Sequence, residues 1–497
     1  MNVLSKTDFI HYLRCPDSLW LEKNKPDKYK RGVLSVFLSK LIKEGYEVEE
    51  YAKKLFPNGL EVSRNSGIDK TKVLLNENHE VLFQPSFKTS SGAFAIIDVL
   101  KKVDDDTYHL YEVKSSTSVK TDKMHNHLKD VCFQKFVLSE CGINIASSHI
   151  IHLNEDFVKD GDIDHNELLI IEDVTDEIED IYSSVVNEIK SALNYIDRSS
   201  IDEQQCSCIQ KTRSNHCDSF DYFNKEIPEY NIYQFRMIRE KKLNELIDLG
   251  CQDMIDTPKD FKLNDYQQSQ LISIINDKPI IDSNQIKDQL DNLKYPLHFF
   301  DYETYSSAVP RVDGIGPHGK LTFQVSIHTL TKEGALTHYE YLSDKMDLSP
   351  DLVKGMKEFT GLTGTFISWH ASFETGRNEE MMSLMPEYKD YLTYINTHMY
   401  DLEVVFKKNY IDYRCKGSSS LKKVLPVICS GFSYDDENIQ DGTTAMETWG
   451  ELVTEVKDES VKDQIRKNLL SYCKLDSLAM VEIYNQVKNK FVKNETI

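Results

Sequence analysis

The stretch Phe299-Phe300-Asp301-Tyr302-Glu303-Thr304 offers the first chemistry. Side chains two apart on a strand leave from one face, so Asp301 and Glu303 aim two carboxylates at one place. Apolar neighbours make unpaired charge there costly, and a divalent cation is a natural partner. Tyr472-Cys473-Lys474-Leu475-Asp476 offers the second. On a helix, positions i and i+4 share a face, so Tyr472 and Asp476 approach the same ions from another wall. Trp369-His370-Ala371-Ser372-Phe373-Glu374 offers the third, at the end of an expected strand. Acids and a phenol from strand, loop and helix suit a pair of magnesium-like ions. Such a pair activates a water and stabilises the leaving oxygen in phosphodiester cleavage. An Asp-x-Glu pair alone is common on solvated strands. The ordered set of three motifs is what carries the reading.

A separate group lies in the N-terminal half. Ile96-Ile97-Asp98 ends one expected strand, and Glu112-Val113-Lys114 ends the next. In a hairpin, Asp98, Glu112 and Lys114 converge at one end. The acids can hold a metal, and the lysine can orient or activate water. Gln134 follows on a helix. Glu-x-Lys by itself also fits an exposed strand with alternating charge.

The ten cysteines supply a further signal. Cys15 precedes Pro16, and Cys206-x-Cys208-x₈-Cys217 follows almost 190 residues later. The chain is expected in the cytoplasm, because its N-terminus has no apolar signal core. Structural disulfides are not expected there, and a metal or cluster role is. Cys132, Cys141, Cys251, Cys415, Cys429 and Cys473 have no ligand spacing and read as packing residues.

Positioning these groups requires regular elements. The first helix is expected at Ser5, with Asp8 as capping partner, and stops before Pro16. Further helices are expected at about 35–55, 123–140, 176–197, 230–249, 264–276 and 350–359. The last long helix is expected at about 461–493, with Ser460 as cap and Asp463 as its partner. Strands are expected over Ala93–Val103, Thr107–Lys114, Leu297–Glu303, and about 321–330, 335–342 and 365–369. The chain of 497 residues is too long for one ordinary core. Three regions result: a domain over 1–225, a helical linker region over 226–294, and a domain over 295–497. The fold class is α/β. Charged residues make up 28% and hydrophobic ones 40%, which is a globular profile. The net charge of −22 argues against a basic coat for nucleic acid, though not against a local basic track. No apolar run approaches the roughly 20 residues of a membrane helix.

The order Asp301-Tyr302-Glu303, His370-Ala371-Ser372-Phe373-Glu374 and Tyr472 with Asp476 resembles the signature of the DEDDy exonucleases, which have the RNase H-like (DnaQ-like) fold. Glu374 stands where that family has Asp, and Asp401 is a possible substitute acid. The resemblance implies that Asp301, Glu303, Glu374 and Asp476 hold two Mg2+ or Mn2+ ions and that Tyr472 positions the attacking water. Gly417-Ser418-Ser419-Ser420-Leu421-Lys422 is similar to the Ser-Leu-Lys helix start of these enzymes. Hydroxyls and backbone N–H groups at a helix start make a phosphate site, so Ser420, Lys422 and Lys423 become nucleic-acid contacts. An ordinary cap is the plainer reading of that stretch.

Asp98, Glu112-x-Lys114 and Gln134 resemble the PD-(D/E)XK nuclease superfamily, of the restriction-endonuclease-like fold, in its RecB-like branch. That resemblance implies at least one ion at the N-terminal site. It also implies an acid on the first core helix, for which Glu47 is the candidate among Glu44, Glu49 and Glu50. Cys15, Cys206, Cys208 and Cys217 resemble the four ligands that hold a 4Fe-4S cluster in such nucleases, with Zn2+ as the alternative. The whole chain resembles the family named domain-of-unknown-function 2779, on Leu13-Arg14-Cys15-Pro16, Phe323-Gln324-Val325-Ser326-Ile327-His328, Val424-Leu425-Pro426 and Tyr472-Cys473.

The function expected from these readings is a metal-dependent nuclease acting on DNA, with a 3′→5′ exonuclease C-terminal domain and a second RecB-like site. A role in repair or defence follows by analogy. An RNA-processing exonuclease, and a nucleic-acid-binding scaffold with degenerate sites, remain the alternatives. No protein partner is legible.

Overall fold

The computed structural model describes residues 2–30, 35–62, 67–77, 79–104, 107–122, 125–432, 439 and 441–491. The architecture is mixed α/β, in two units. Unit 1 comprises Met1–Glu226 with Ser307–Gly319, and unit 2 comprises Ile227–Ser306 with Lys320–Ile497. The region 226–294 falls almost wholly within unit 2. Among the described residues no helix is long and apolar enough to cross a membrane.

Unit 1 begins with helix α1 (Lys6–Arg14), fixed by a capping box. Asp8 N donates to Ser5 Oγ (3.2 Å), and Ser5 N donates to Asp8 Oδ2 (2.8 Å). Cys15 ends α1, and Pro16 opens helix α2 (Pro16–Asn24), where its missing N–H costs nothing. Helix α3 (Val36–Lys53) follows. A six-stranded mixed sheet runs in simple sequence order: β1 (Leu60–Glu61), β2 (Val81–Phe83), β3 (Val99–Asp104), β4 (Thr107–Val113), β5 (Asn144–Leu153) and β6 (Leu169–Asp173). Alternation splits its side chains between two cores. Leu100, Leu110 and Ile150 pack with α4 (His127–Glu140) and α5 (Thr175–Ile196). Val99, Tyr111 and Ile151 pack with Val48 and Ala52 of α3.

The strand expected over Ala93–Val103 is two strands. Ala93–Ile96 pairs with Leu4–Ser5 and Ser86–Lys88 in a small separate sheet, while Val99 starts β3. Asp98 sits at the break. Asp105 and Asp106, between the strands expected over Ala93–Val103 and Thr107–Lys114, lie outside the described residues, as do the first residues of the helix expected from 123 and the last of the helix expected to 493.

Unit 2 carries a five-stranded sheet of β7 (Leu297–Tyr305), β8 (Leu321–Leu330), β9 (Leu336–Leu342), β10 (Thr365–Ser368) and β11 (Met399–Asp401). The order is β9-β8-β7-β10-β11, antiparallel among the first three and parallel from β7 onward. Its helices include α6 (Pro350–Thr360), α7 (Ser372–Leu384), α8 (Leu421–Ile428), α9 (Gly442–Thr454) and α10 (Glu459–Phe491). Phe300 and Tyr302 of β7 face the core that includes Leu352 and Met356 of α6. Leu297 and Phe299 face Ala479, Ile483 and Tyr484 of α10. Asp301 and Glu303 share the parity of Phe299, so they leave β7 on the α10 side.

Two helix expectations are corrected. Helix α10 starts at Glu459, capped by Asp458, whose Oδ1 accepts from Ser460 N at 2.8 Å. Ser460 is therefore inside the helix. The helix expected from 230 is α-helical only over Glu240–Asp248, because Met237 has a φ of 50° that no α-helix holds.

Candidate metal centres

The unit 2 site grows from the end of β7. The pairing of β7 with β8 shifts register between Glu303 and Thr304, a bulge that re-aims the strand just past the second acid. The opposite wall is α10, and β8 holds it in place. Gln324 Nε2 donates to Leu469 O (2.8 Å), Ser326 Oγ meets Ser477 Oγ (2.7 Å), and His328 Nδ1 meets Ser477 Oγ (2.8 Å). These alternate residues of the Phe323–His328 motif therefore fix the helix that carries Tyr472 and Asp476. Burial pushes His328 down to about 4, so this rail is uncharged near neutrality.

Glu303 and Asp476 are each 7% exposed, and Glu374 on the first turn of α7 is 2% exposed. Burial, then Asp476, Glu303 and Glu374, hold the Asp301 carboxyl well above the usual range. Burial and Asp476 do the same to Glu303, while Lys422 opposes them. Burial pushes Glu374 up to about 8, and its Oε2 has no hydrogen-bond partner among the described residues. The structure thus brings together Asp301, Glu303, Glu374 and Asp476 in one field. Lys422 Nζ reaches Tyr472 Oη at 3.4 Å and lies 5.2 Å over its ring.

Other expected residues lie further out. Ser420 is the N-cap residue of α8 but makes no side-chain cap bond; its hydroxyl accepts from Ser418 Oγ at 3.1 Å. Lys423 is exposed. Asp401 is occupied locally: its Oδ1 accepts from His370 N (3.1 Å) and Glu403 N (3.0 Å). Two groups at this site escaped the sequence reading. Asp441, the N-cap of α9, adds charge near Glu303. Cys473, read as packing, sets its Sγ 3.8 Å from Asp301 Oδ2. The spacing of Cys473 three positions before Asp476 was the available signal, since residues three apart share a helix face.

In unit 1 the buried Glu112 is charge-compensated. Glu112, 1% exposed, is gripped by Lys6 and by Gln134 Nε2, and Lys114 Nζ lies 2.8 Å from its Oε1. Burial alone would raise its carboxyl, but Lys114 and Lys6 hold it well below the usual range. Lys114 also pairs with Asp130. Asp98 accepts from Val113 N (2.8 Å) and from Gln84 Nε2 (3.2 Å). Burial and the charge of Glu112 push it up to about 8. The structure therefore brings Asp98, Glu112, Lys114 and Gln134 together. It turns Glu47 away, to Arg311 Nη1 and Nη2 at 2.6 Å each. The α3 acid that meets the site is Glu49, whose Oε2 shares Gln84 Nε2 with Asp98 at 3.2 Å. One helical face cannot present both Glu47 and Glu49, two positions apart. Asp130 was legible in principle, one turn before Gln134; Lys6, 106 residues before Glu112, gave no signal.

Cys15, Cys206, Cys208 and Cys217 are all buried, and their sulfurs all lie within 4.8 Å of one another. Cys206 Sγ and Cys217 Sγ are 4.0 Å apart. Four thiolates around one tetrahedral ion with bonds of about 2.3 Å stand about 3.8 Å apart, so the group fits a single zinc-like ion. By ligand type it equally suits a four-iron cluster, for which the thiolates would stand further apart. The carboxylate sets, all oxygen apart from Cys473, suit magnesium or manganese.

Residues 298–420 match the family described as Domain of unknown function (DUF2779). The match covers Asp301, Glu303 and Glu374 and ends before Tyr472 and Asp476. Uncharacterized protein MG366 of Mycoplasma genitalium is 25% identical over 232 residues, covering 43% of this chain and 35% of its own. The MG366 homolog of Mycoplasma pneumoniae is 27% identical over 244 residues, covering 44% and 36%. The match thus spans about a third of the length of these curated relatives. The solved structure of SSO0001 aligns with 40% of this chain at 12% identity, with a TM-score of 0.21.

Proposed function

We propose that this protein is a metal-dependent nuclease that hydrolyses phosphodiester bonds of DNA, with a 3′→5′ exonuclease site in unit 2 and a second nuclease site in unit 1. The observation that carries it is the meeting of Asp301, Glu303, Glu374 and Asp476 from β7, α7 and α10, with Tyr472 one helical turn before Asp476 and held by Lys422, which also acts on Glu303. Acids this close, with Asp476 and Glu374 raising both Asp301 and Glu303, need cations more than they need each other. The finer fold reading, an RNase H-like unit 2 and a PD-(D/E)XK-type unit 1, belongs to this proposal.

Asp301, Glu303, Glu374 and Asp476 would hold two Mg2+ or Mn2+ ions, which would supply water activation and stabilisation of the leaving oxygen. The chain supplies the rest. Tyr472 orients the attacking water with its phenol, and Lys422 keeps that phenol in place. The backbone N–H groups at the start of α8 face phosphate by the usual logic of a helix N-terminus. In unit 1, Asp98 and Glu112 would hold an ion, with Lys114 orienting water and Gln134 fixing Glu112. The four cysteines would close unit 1 around an iron–sulfur cluster or zinc, joining the α1–α2 junction to the segment 206–217.

An end-labelled cleavage assay tests this. Anaerobically purified protein with Mn2+ is offered single-stranded DNA, duplex DNA and RNA. Laddering from a 3′ end that disappears in Asp301→Ala/Glu303→Ala but survives in Glu112→Ala/Lys114→Ala is the expected result. Cleavage of RNA alone moves the substrate to RNA, where a contact to the 2′-hydroxyl discriminates. Binding of all three without cleavage overturns the enzymatic reading in favour of a scaffold.

A further inference from the structure

Phosphodiester hydrolysis by paired hard cations has no use for the thiol at the unit 2 acids. Cys473 is fully buried on α10, directly after Tyr472. Its Sγ lies 3.7 Å from Asp301 O and 3.8 Å from Asp301 Oδ2. Cys473 Sγ and one oxygen each of Asp301 and Glu303 all lie within 4.8 Å of one another. A packing cysteine is lined by carbon; this one is lined by carboxylates, and burial together with Asp301 and Glu303 pushes its thiol well up. In the field of the same two acids, Glu374 Oε2 is buried without a hydrogen-bond partner among the described residues, and the charge of Glu374 acts on both Asp301 and Glu303. An unsatisfied buried carboxylate oxygen is expensive unless a cation takes it.

Oxygen ligands select magnesium and manganese, whereas thiolate selects zinc-class ions. We propose that the unit 2 carboxylate site also takes a thiophilic divalent ion of the zinc class, with Cys473 Sγ as a ligand beside Asp301 and Glu303. The proposal rests on the reading that these acids hold metal, and names a second class of ion for the same place. On binding, the thiol releases its proton to solvent, the sulfur–metal bond forms, and no electron is transferred. A zinc-class ion bound through sulfur occupies the place of the hard ions, so it silences hydrolysis.

The test is a Cd2+ titration of the full chain, read by the ultraviolet thiolate-to-metal charge-transfer band, alongside a Mn2+ titration read by paramagnetic resonance. Wild type, Cys473→Ser and Asp301→Asn/Glu303→Gln are compared, so that the four-cysteine site contributes equally to each. The expected result is loss of one thiolate-bound Cd2+ equivalent in both variants, with Mn2+ binding kept in Cys473→Ser. A Cd2+ band in Cys473→Ser equal to wild type overturns the proposal, and so does a band retained in the carboxylate variant. In either case, Mn2+ equivalents bound by wild type and lost in the carboxylate variant leave the hydrolase reading standing. Wild type that binds no Mn2+ strikes that reading instead. Cys473→Ala repeats the measurement if the serine variant does not fold.

Discussion

In unit 1, Glu112 lies between Lys6 and Lys114, and its second oxygen takes Gln134. In unit 2, Asp301, Glu303, Glu374 and Asp476 press on one another, with Lys422 opposing them at Glu303. Both units bury carboxylates at the ends of sheet strands. Unit 1 brings its own cations to Glu112, so that acid is ionised and held whatever the solution contains, while burial and the charge of Glu112 push Asp98 up to about 8 and leave it to take a proton or an ion. Unit 2 leaves its acids to be neutralised by protons or by external ions. The lesson is that burial alone does not define a metal site; what matters is whether the chain has already supplied the compensating charge.

The largest effect is expected from Asp301→Asn. Its loss should lower Mn2+-dependent cleavage by unit 2 on the order of 10³-fold, the scale of a removed transition-state stabiliser. An unchanged rate contradicts the assignment. Tyr472→Phe keeps the ring under Lys422 and removes the hydroxyl, so a drop of about 10²-fold in rate is expected, with Mn2+ binding intact.

The two units also differ in how pH acts on them. Glu374 has a folded pKa of about 8, above its ordinary unfolded value of about 4.3. Its neutral form is the one that burial favours. That stability is full below the unfolded value and is lost as pH rises toward 8. Thermal unfolding of metal-free protein should therefore show unit 2 weakening from pH 5 to 8 (about the span between those two values), with Mn2+ restoring it. Glu112 has the opposite sign. Its folded pKa is depressed, so its contribution is present above about pH 4.3 and fades on acidification. A metal-free unit 2 that strengthens as pH rises contradicts the contrast.

Lys6→Met should cost unit 1 about 1–3 kcal/mol, because a partner of a buried carboxylate is lost while Lys114 and Gln134 remain. Denaturant unfolding of unit 1 reads this. Arg311→Ala is the smallest change. Its pair with Glu47 is partly exposed, and about 0.2–1 kcal/mol is expected. A larger loss would mean that Glu47 has a role in the site after all.

Much of this was legible in the sequence, and the reasons differ by residue. Asp301 and Glu303 could be read because strand parity fixes their common face whatever surrounds them. Tyr472 and Asp476 could be read from helical spacing. The capping box of Ser5 and Asp8 is local chemistry, and it forms as expected. Asp98 was named, yet the strand break at which it sits was not, because Ile96-Ile97 reads equally well as strand interior. Lys6 and Glu49 were missed because their roles depend on long-range packing of α1 and α3. Glu47 and Glu49 differ only in which face of α3 meets the sheet, and four glutamates within seven positions give no periodicity that decides it. The cysteine quartet was read from its resemblance to the four ligands of RecB-like nucleases, and spacing cannot set the distance between sulfurs, which is what separates one ion from a cluster.

The most direct test of the central claim is a Mn2+ titration of metal-free full-length protein, followed by paramagnetic resonance, in wild type and Asp301→Ala/Glu303→Ala. If the unit 2 acids are a two-ion site, the variant loses two Mn2+ equivalents and keeps those of unit 1. If the variant binds as much Mn2+ as wild type, the acids of β7 do not hold metal, and the account of unit 2 as a hydrolase fails.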